Sequence, residues 1–396
     1  MIKPLILVSL VTQFSLGTTY TLKNILNTAD KNGVLTKALE KESLSLSAKT
    51  RADTASSPFA IYAEGAKAVP DVGEPGYEYA MGLSKNIKLG NIQTQERMSL
   101  DLMNQATTLE GEKNILNFRN TLKNMYHQHC LDLAKYRSIN KSYADLLKLY
   151  KKKQKAYGYK EIAKTELMQI ESEKNRLYAQ VQELKMLQEI SKQKVLMMSR
   201  SNQKATLSCA DMYPIRGDVT LKNTFSLSKK VHDKRMESTK VRLERYSHGI
   251  ESITVSGQYG KEIDIDRYTI GISMPLSFTS ERSEQERAAA LYKSSAMSYR
   301  YEHDMVEKKS LLLELQSRLK SKATMVKILA KNYNTYRKKL LPLVQKSYNL
   351  GETSVIEYLL NRQKLYTLNT ELYAAKKAYY TTLFTLYTLS ENKDTK

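Results

Sequence analysis

Chain breakers are scarce: the 396 residues hold 15 Gly and 7 Pro. Turns and irregular loops depend on those two residues, so long uninterrupted helices are expected. Tryptophan is absent and Phe occurs 6 times, against 27 Tyr. Tyr suits positions that are half buried and half wet, such as helix seams and membrane interfaces. Beyond the N-terminal run no segment reaches the ~18 apolar residues of a membrane helix. Clusters such as Ala288 to Tyr292 and Leu311 to Leu313 are far too short. Also missing are a Gly-rich phosphate loop, a zinc-ligand cluster and a nucleophile elbow. Ser, His and Asp occur with nothing to order them into a triad. The expectation is a protein that is not an enzyme and uses no cofactor.

Acidic residues are outnumbered, 41 against 63 Lys and Arg, for a formal charge of +22. Clustered cations of this number suggest nucleic acid, where they displace counterions from phosphates. Here they are spread along helical segments and interleaved with acids, as in Glu171, Glu173, Lys174 and Arg176. That pattern reads as solvated helix faces, and no nucleic-acid partner is expected.

The N-terminus has the pattern of an export signal. Lys3 is a short positive region, Pro4 to Leu16 is mostly apolar, and Ser15-Leu16-Gly17 offers small residues for cleavage. Residues 1–17 are therefore read as a signal peptide. Thr18 follows in place of a cysteine, so no lipid anchor is expected there. An exported chain without a membrane helix is soluble in the periplasm, secreted, or inserted in the outer membrane as β-structure.

Two segments recur in the same order. Tyr79, Gly82, Ser84 and Ile87 match Tyr268, Gly271, Ser273 and Leu276 at one constant offset. Gln154-Lys-Ala-Tyr157, Glu161 and Glu166 match Gln345-Lys-Ser-Tyr348, Glu352 and Glu357 at nearly the same offset. Together they indicate an internal duplication, with a first repeat over 18–219 and a second over 220–396. Each repeat reads as helix, two strands and a helical hairpin, the hairpin tips lying near 158 and near 351.

In the first repeat a helix is expected over Leu22 to Leu46, with indistinct caps. A strand near Phe59 to Ala63 and a turn at Gly73-Glu-Pro-Gly76 precede the alternating Tyr77, Tyr79, Met81 and Leu83. After Leu89-Gly90 a helix of roughly 65 residues follows, about 100 Å at helical rise. Ile115, Phe118, Leu122 and Met125 form its apolar stripe. The chain breaks at Tyr157-Gly158-Tyr159 and returns as a helix over Lys160 to Lys204. In the second repeat a helix is expected over Leu221 to Tyr246. Strands Ile250 to Tyr259 and Arg267 to Phe278 flank a turn at Gly260 to Asp266. A long helix begins near Thr279. Leu312, Leu315, Leu319, Val326, Leu329, Tyr333, Tyr336 and Leu340 keep steps of 3 and 4, failing only at Lys322, which is a heptad seam. Pro342 is a candidate kink. After Asn349-Leu350-Gly351 a return helix runs from Thr353 to about Leu389, with Thr353 as N-cap and Ser354 as the alternative.

Two side-chain groups attract notice without forming a site. His127 and Cys130 share a helix face beside His129, yet lack a third ligand, so no metal site is expected. Folding back at Gly158 places Cys130 opposite about residue 186. Cys209 then lies about 35 Å further along, far outside disulfide reach, so two unpaired cysteines are expected.

The repeated order, with Tyr348-Asn-Leu-Gly351-Glu-Thr-Ser-Val-Ile-Glu357-Tyr-Leu359 and Gly82-Leu-Ser-Lys-Asn-Ile87, resembles the TolC family of outer-membrane efflux proteins. The resemblance implies a mainly α fold with a small β part. It implies a homotrimer in which an α-barrel continues into a 12-stranded β-barrel in outer-membrane lipid. The tips would meet a periplasmic adaptor and an inner-membrane RND-type pump, and the chain would be the passive exit duct for heavy-metal ions or small toxic compounds. The family's periplasmic aperture falls on Tyr348, Gly351, Thr353, Glu357 and Leu360, with Tyr157, Gly158, Glu161 and Glu166 at the first-repeat tip. The basic and second acidic aperture positions fall on Thr353 and Leu360, so the family's charged lock is incomplete. A three-fold ring of Glu357 favours cations; a solvated first-turn acid at a helix N-terminus is the other reading of that residue. The alternative function is a periplasmic coiled-coil adaptor, which also carries long hairpins but needs only one.

Overall fold

The computed structural model describes residues 19–69, 74–245, 250–275 and 281–392. The expected signal peptide, Gly73 of the first expected turn, and Phe278 and Thr279 lie outside them. The chain runs β1 (Thr19–Tyr20), α1 (Leu22–Asn32), α2 (Val34–Asp53), β2 (Ala60–Ala68), β3 (Gly76–Lys88), α3 (Ile92–Gly158) and α4 (Lys164–Met198). It continues with β4 (Thr206–Leu207), α5 (Ser226–Arg245), β5 (Ser252–Lys261), β6 (Asp266–Ser273) and α6 (Arg282–Thr335). A π turn (Tyr336–Leu340), α7 (Leu341–Asn349) and α8 (Val355–Ser390) complete it. The fold is mainly α with a small β part, and α3 alone has 67 residues.

Several boundaries differ from expectation for identifiable reasons. The helix expected over Leu22 to Leu46 is two helices, because Gly33 takes an extended conformation between them. Its cap is distinct: the Thr21 hydroxyl accepts from the Asn24 N–H at 3.3 Å, which Thr does well at an N-cap. The first return helix starts at Lys164 and ends at Met198, short of Lys160 and Lys204. The second starts at Val355, capped by Ser354 rather than Thr353: the Ser354 hydroxyl accepts from the Glu357 N–H at 3.2 Å. The helix before Pro342 widens into a single π turn at Tyr336–Leu340. Proline lacks an N–H and crowds the preceding turn, and a π turn is one way a helix absorbs that defect. Leu340, expected in the seam, is exposed there, and Ala323 takes the buried position that Lys322 leaves vacant.

The chain divides into two compact units, each drawing on both expected repeats. One comprises residues through Thr36, Leu116–Lys222 and Leu312 onward. Its core joins α6 and α8 through Leu315, Leu319, Val326, Leu372 and Leu383, with further clusters around α1 and around the hairpin tips. The short strands β1 and β4 pair in parallel in this unit.

The two cysteines of this unit are joined. Cys130 and Cys209 form a disulfide with Cα atoms 5.5 Å apart, contrary to the expectation of two free thiols. The error lay in extending α4 by helical rise. The helix stops at Met198 and residues 199–222 turn back onto α3, where the Tyr126 hydroxyl donates to the Ser208 carbonyl. Buried His127 is part of that attachment: its Nε2 accepts the Tyr213 N–H at 2.9 Å. Both ring nitrogens are engaged, since Nδ1 lies 2.7 Å from the Lys123 carbonyl oxygen. Among the described residues no group of three His, Cys, Asp or Glu is placed to hold a metal.

The other unit, Lys37–Ile115 and Asn223–Leu311, contains a four-stranded antiparallel sheet in the order β2-β3-β5-β6. The hairpins β2-β3 and β5-β6 are joined by β3 pairing with β5, from Tyr79 opposite Lys261 to Lys88 opposite Ser252. In the same unit Ser99 of α3 and Ser238 of α5 exchange buried hydroxyl and carbonyl bonds.

Candidate functional site

Two features of the structure are built for a task, and each lies within one unit. The first is the sheet. Its register places Ile61 beside Leu83, Leu83 beside Gly257 and Gly257 beside Ile270, so these share one face. On that face β3 carries Tyr77, Tyr79, Met81, Leu83 and Ile87, and β6 carries Tyr268, Ile270 and Ile272, all exposed. Ile270, at 86%, is the most exposed large apolar side chain among the described residues. The opposite face carries Glu64, Glu78, Ser84, Asn86, Thr254, Ser256, Gln258, Arg267 and Thr269. On the first face, Lys67, Lys261 and Asp266 toward one end of the strands and Lys85 toward the other frame an apolar band. A band of this extent left in water is costly, and its natural solvent is lipid or protein. Strand lengths of 8 to 13 residues bracket what a tilted β-strand needs to cross a bilayer, about 9–11. The outer edges of β2 and β6 have no partner strand among the described residues.

The repeated glycines have a cross-strand reason. Tyr62 of β2 lies over Gly82 on the polar face and its hydroxyl donates to Gln258 of β5 at 3.3 Å. A Cβ at Gly82 would meet the Tyr62 ring at 2.3 Å. At the matching Gly271 a Cβ would meet the Ser256 hydroxyl at 2.8 Å.

The second feature is the pair of hairpin tips. Both turns close with the same hydrogen bonds. The Lys160 and Gly351 N–H groups donate to Tyr157 and Tyr348 at 2.9 and 3.2 Å. The Glu161 and Glu352 N–H groups donate to Ala156 and Ser347, both at 2.9 Å. This is the Schellman ending of a helix, whose key residue takes a left-handed conformation. That residue is Gly351 (φ +80°) in one tip and Lys160 (φ +60°) in the other. Gly158, which looked like the turn glycine, is simply the last residue of α3, with open space around it.

The structure brings Tyr348 and Glu166 together and leaves the other expected aperture residues apart from them. Tyr348 is buried, stacks on Tyr358 with ring centroids 4.7 Å apart, and donates its hydroxyl to Glu166 at 2.7 Å. Lys153 pairs with the same carboxylate at 2.8 Å. Burial pushes the Glu166 carboxyl up, but the Lys153 and Tyr348 bonds outweigh it and hold it below the usual carboxylate range. The Tyr348 hydroxyl is raised by burial and by the Glu166 charge. Tyr157, Gly158, Glu161, Gly351, Glu357 and Leu360 are exposed and Thr353 is half-buried.

A deeper link went unrecognised in the sequence. Arg362 of α8, 7% exposed, donates to the Tyr358 hydroxyl at 2.8 Å, the Tyr366 hydroxyl at 3.2 Å and the Ser142 carbonyl of α3 at 2.9 Å. Beside it Gln363 donates to Glu173 of α4, which Arg176 holds through two bonds. The signal was present as Tyr358, Arg362 and Tyr366 at i, i+4 and i+8, one face of a helix.

Comparison with solved structures bears on the whole arrangement. CusC, in work on its folding and transmembrane channel formation, matches 94% of this chain and 92% of its own at TM-score 0.76 and 12% identity. The CmeC outer-membrane channel of Campylobacter jejuni matches 94% of this chain and 87% of its own at TM-score 0.72 and 14% identity. The chain has the fold of these outer-membrane channels. The open-state MtrE channel of Neisseria gonorrhoeae adds a third case, matching 94% of this chain and 89% of its own at TM-score 0.69 and 13% identity. This is the fold that the resemblance to the TolC family implied. No family model matches the sequence, and no curated protein matches it. Among the described residues no helix is long and apolar enough to cross a membrane.

Proposed function

We propose that the chain is one third of an outer-membrane exit duct, the passive last stage of a tripartite efflux system. The observation that carries this reading is the sheet: one apolar exposed face, one polar face, and two open edges. Open edges are not tolerated in lipid, and four strands are too few to close a barrel. Three copies supply twelve strands, with the apolar faces toward lipid and the polar faces lining the passage. The disulfide supports an oxidising compartment such as the periplasm. The fold shared with the channels supports the same role.

In this reading the hairpin tips form the periplasmic aperture and meet an adaptor and an inner-membrane RND-type pump. With Thr353 and Leu360 replacing the charged positions, the tip is held by Tyr348, Glu166 and Lys153, and by Arg362 above them. Glu357 remains the exposed acid available to a three-fold ring that favours cations, so heavy-metal ions and small toxic compounds are the cargo classes. Cell fractionation separates the duct from a periplasmic adaptor. The duct predicts heat-resistant trimers in the outer-membrane fraction; a monomer in the soluble periplasmic fraction contradicts it.

A further inference from the structure

The basic residues spread along the helices are densest toward the two hairpin tips. Segments 148–166 and 337–357 hold eleven Lys and Arg against four acids. Their net charge is +7 against +22 for the whole chain, so about one tenth of the length carries about a third of the excess. The Tyr348–Glu166 bond holds the two tips side by side. Lys151, Lys152 and Lys155 on one tip and Arg337, Lys338 and Lys339 on the other are exposed. None of these six has an ion-pair partner among the described residues; the tip's internal ion pair uses Lys153. With no carboxylate paired to them among the described residues, their mutual repulsion favours the arrival of something of opposite charge.

Between the cations stand exposed apolar side chains. Tyr159 is 78% exposed, Leu350 63% and Leu343 64%. A polyphosphate or an anionic polysaccharide has no use for such groups, whereas a protein interface combines apolar contact with a charged rim. We propose that the tips dock a protein partner whose own docking end carries an excess of Asp and Glu around apolar residues. The proposal rests on the reading of the tips as the adaptor-facing end, and it names the chemistry by which this duct selects its adaptor. Cations on the duct side would steer the encounter and reject a partner with a basic tip.

The test uses the detergent-solubilised trimer, immobilised, and two disulfide-closed helical hairpin peptides that differ only at the loop. One carries Glu around Leu residues and the other carries Lys at the same places. The Glu hairpin is expected to bind at least ~10-fold more tightly, with an advantage that collapses at high salt. The variant Lys151→Glu/Lys152→Glu/Lys155→Glu should abolish that preference. Lys37→Glu/Lys41→Glu/Lys49→Glu on α2, the same change in charge at exposed positions, should leave it within about twofold. Equal binding of the two hairpins overturns the proposal, as does equal loss in the two triple variants. Displacement of the Glu hairpin by heparin at lower concentration also overturns it, in favour of a polysaccharide. Bilayer conductance of the same preparations separates the two levels. A conducting trimer blind to hairpin charge sinks this inference alone, and a preparation without conductance sinks the duct reading beneath it.

Discussion

Glu166 is the residue on which both tips converge. Its carboxyl is depressed in the folded state by Lys153 and Tyr348, so the stability it contributes is present at neutral pH. That contribution is lost as pH falls through the folded value, which lies below the ordinary range of a glutamate. Glu166→Gln should therefore lower the melting temperature at pH 7, and the gap to the native protein should close under acid. A constant gap across that range contradicts the ion-pair account. Arg362 acts by a different route, since its charge is buried with hydroxyl and carbonyl oxygens rather than a carboxylate. Arg362→Met keeps the volume of the stem and removes every donor. It should destabilise the tip unit by about 2–4 kcal/mol in chemical unfolding, because the Ser142 carbonyl and two tyrosine hydroxyls lose a buried partner. Tyr348 was legible in the sequence because its turn resembles a known motif. Lys153 and Arg362 were not, because Lys153 meets Glu166 across a turn and Arg362 reaches Ser142 on a helix from the other repeat.

The elements show how far periodicity reaches and where it stops. The strand alternation at Tyr77, Tyr79, Met81 and Leu83 and the seam of α6 follow side-chain spacing, and spacing fixes which face is apolar. Turn chemistry was less visible. The sequence places the breaks at Gly158 and Gly351, yet the conformation that needs glycine falls on Gly351 and Lys160, three positions after Tyr348 and Tyr157. Lys160→Gly should stabilise by about 1 kcal/mol, since a side chain in the left-handed region is strained. Gly351→Ala should cost about 1–2 kcal/mol for the same reason. Thermal melts of the two single variants, shifting in opposite directions, check both statements. The disulfide was the clearest misreading. Extending α4 as a straight rod carries Cys209 away from Cys130, whereas the helix stops at Met198 and the chain turns back. A helix end set by contacts with another segment leaves little trace in local composition.

At the scale of the whole molecule, the sequence carried the element order and its repetition, and the structure adds how four strands from two hairpins become one sheet. It also regroups the chain: each compact unit takes pieces of both repeats, a division that linear boundaries at 219 and 220 do not express. The reason is that long hairpins place residues far apart in sequence side by side, and compaction follows space. The central claim is that this sheet is one third of a closed barrel in lipid. Its most direct test is single-channel recording in a planar bilayer with the purified, detergent-extracted protein. The account predicts discrete, stable conductance steps from a species of three chains, abolished when Ile270 and Ile272 on the apolar face are both replaced by Asp. A protein that stays monomeric and leaves the bilayer silent, or one that conducts unchanged with those two aspartates, would contradict it.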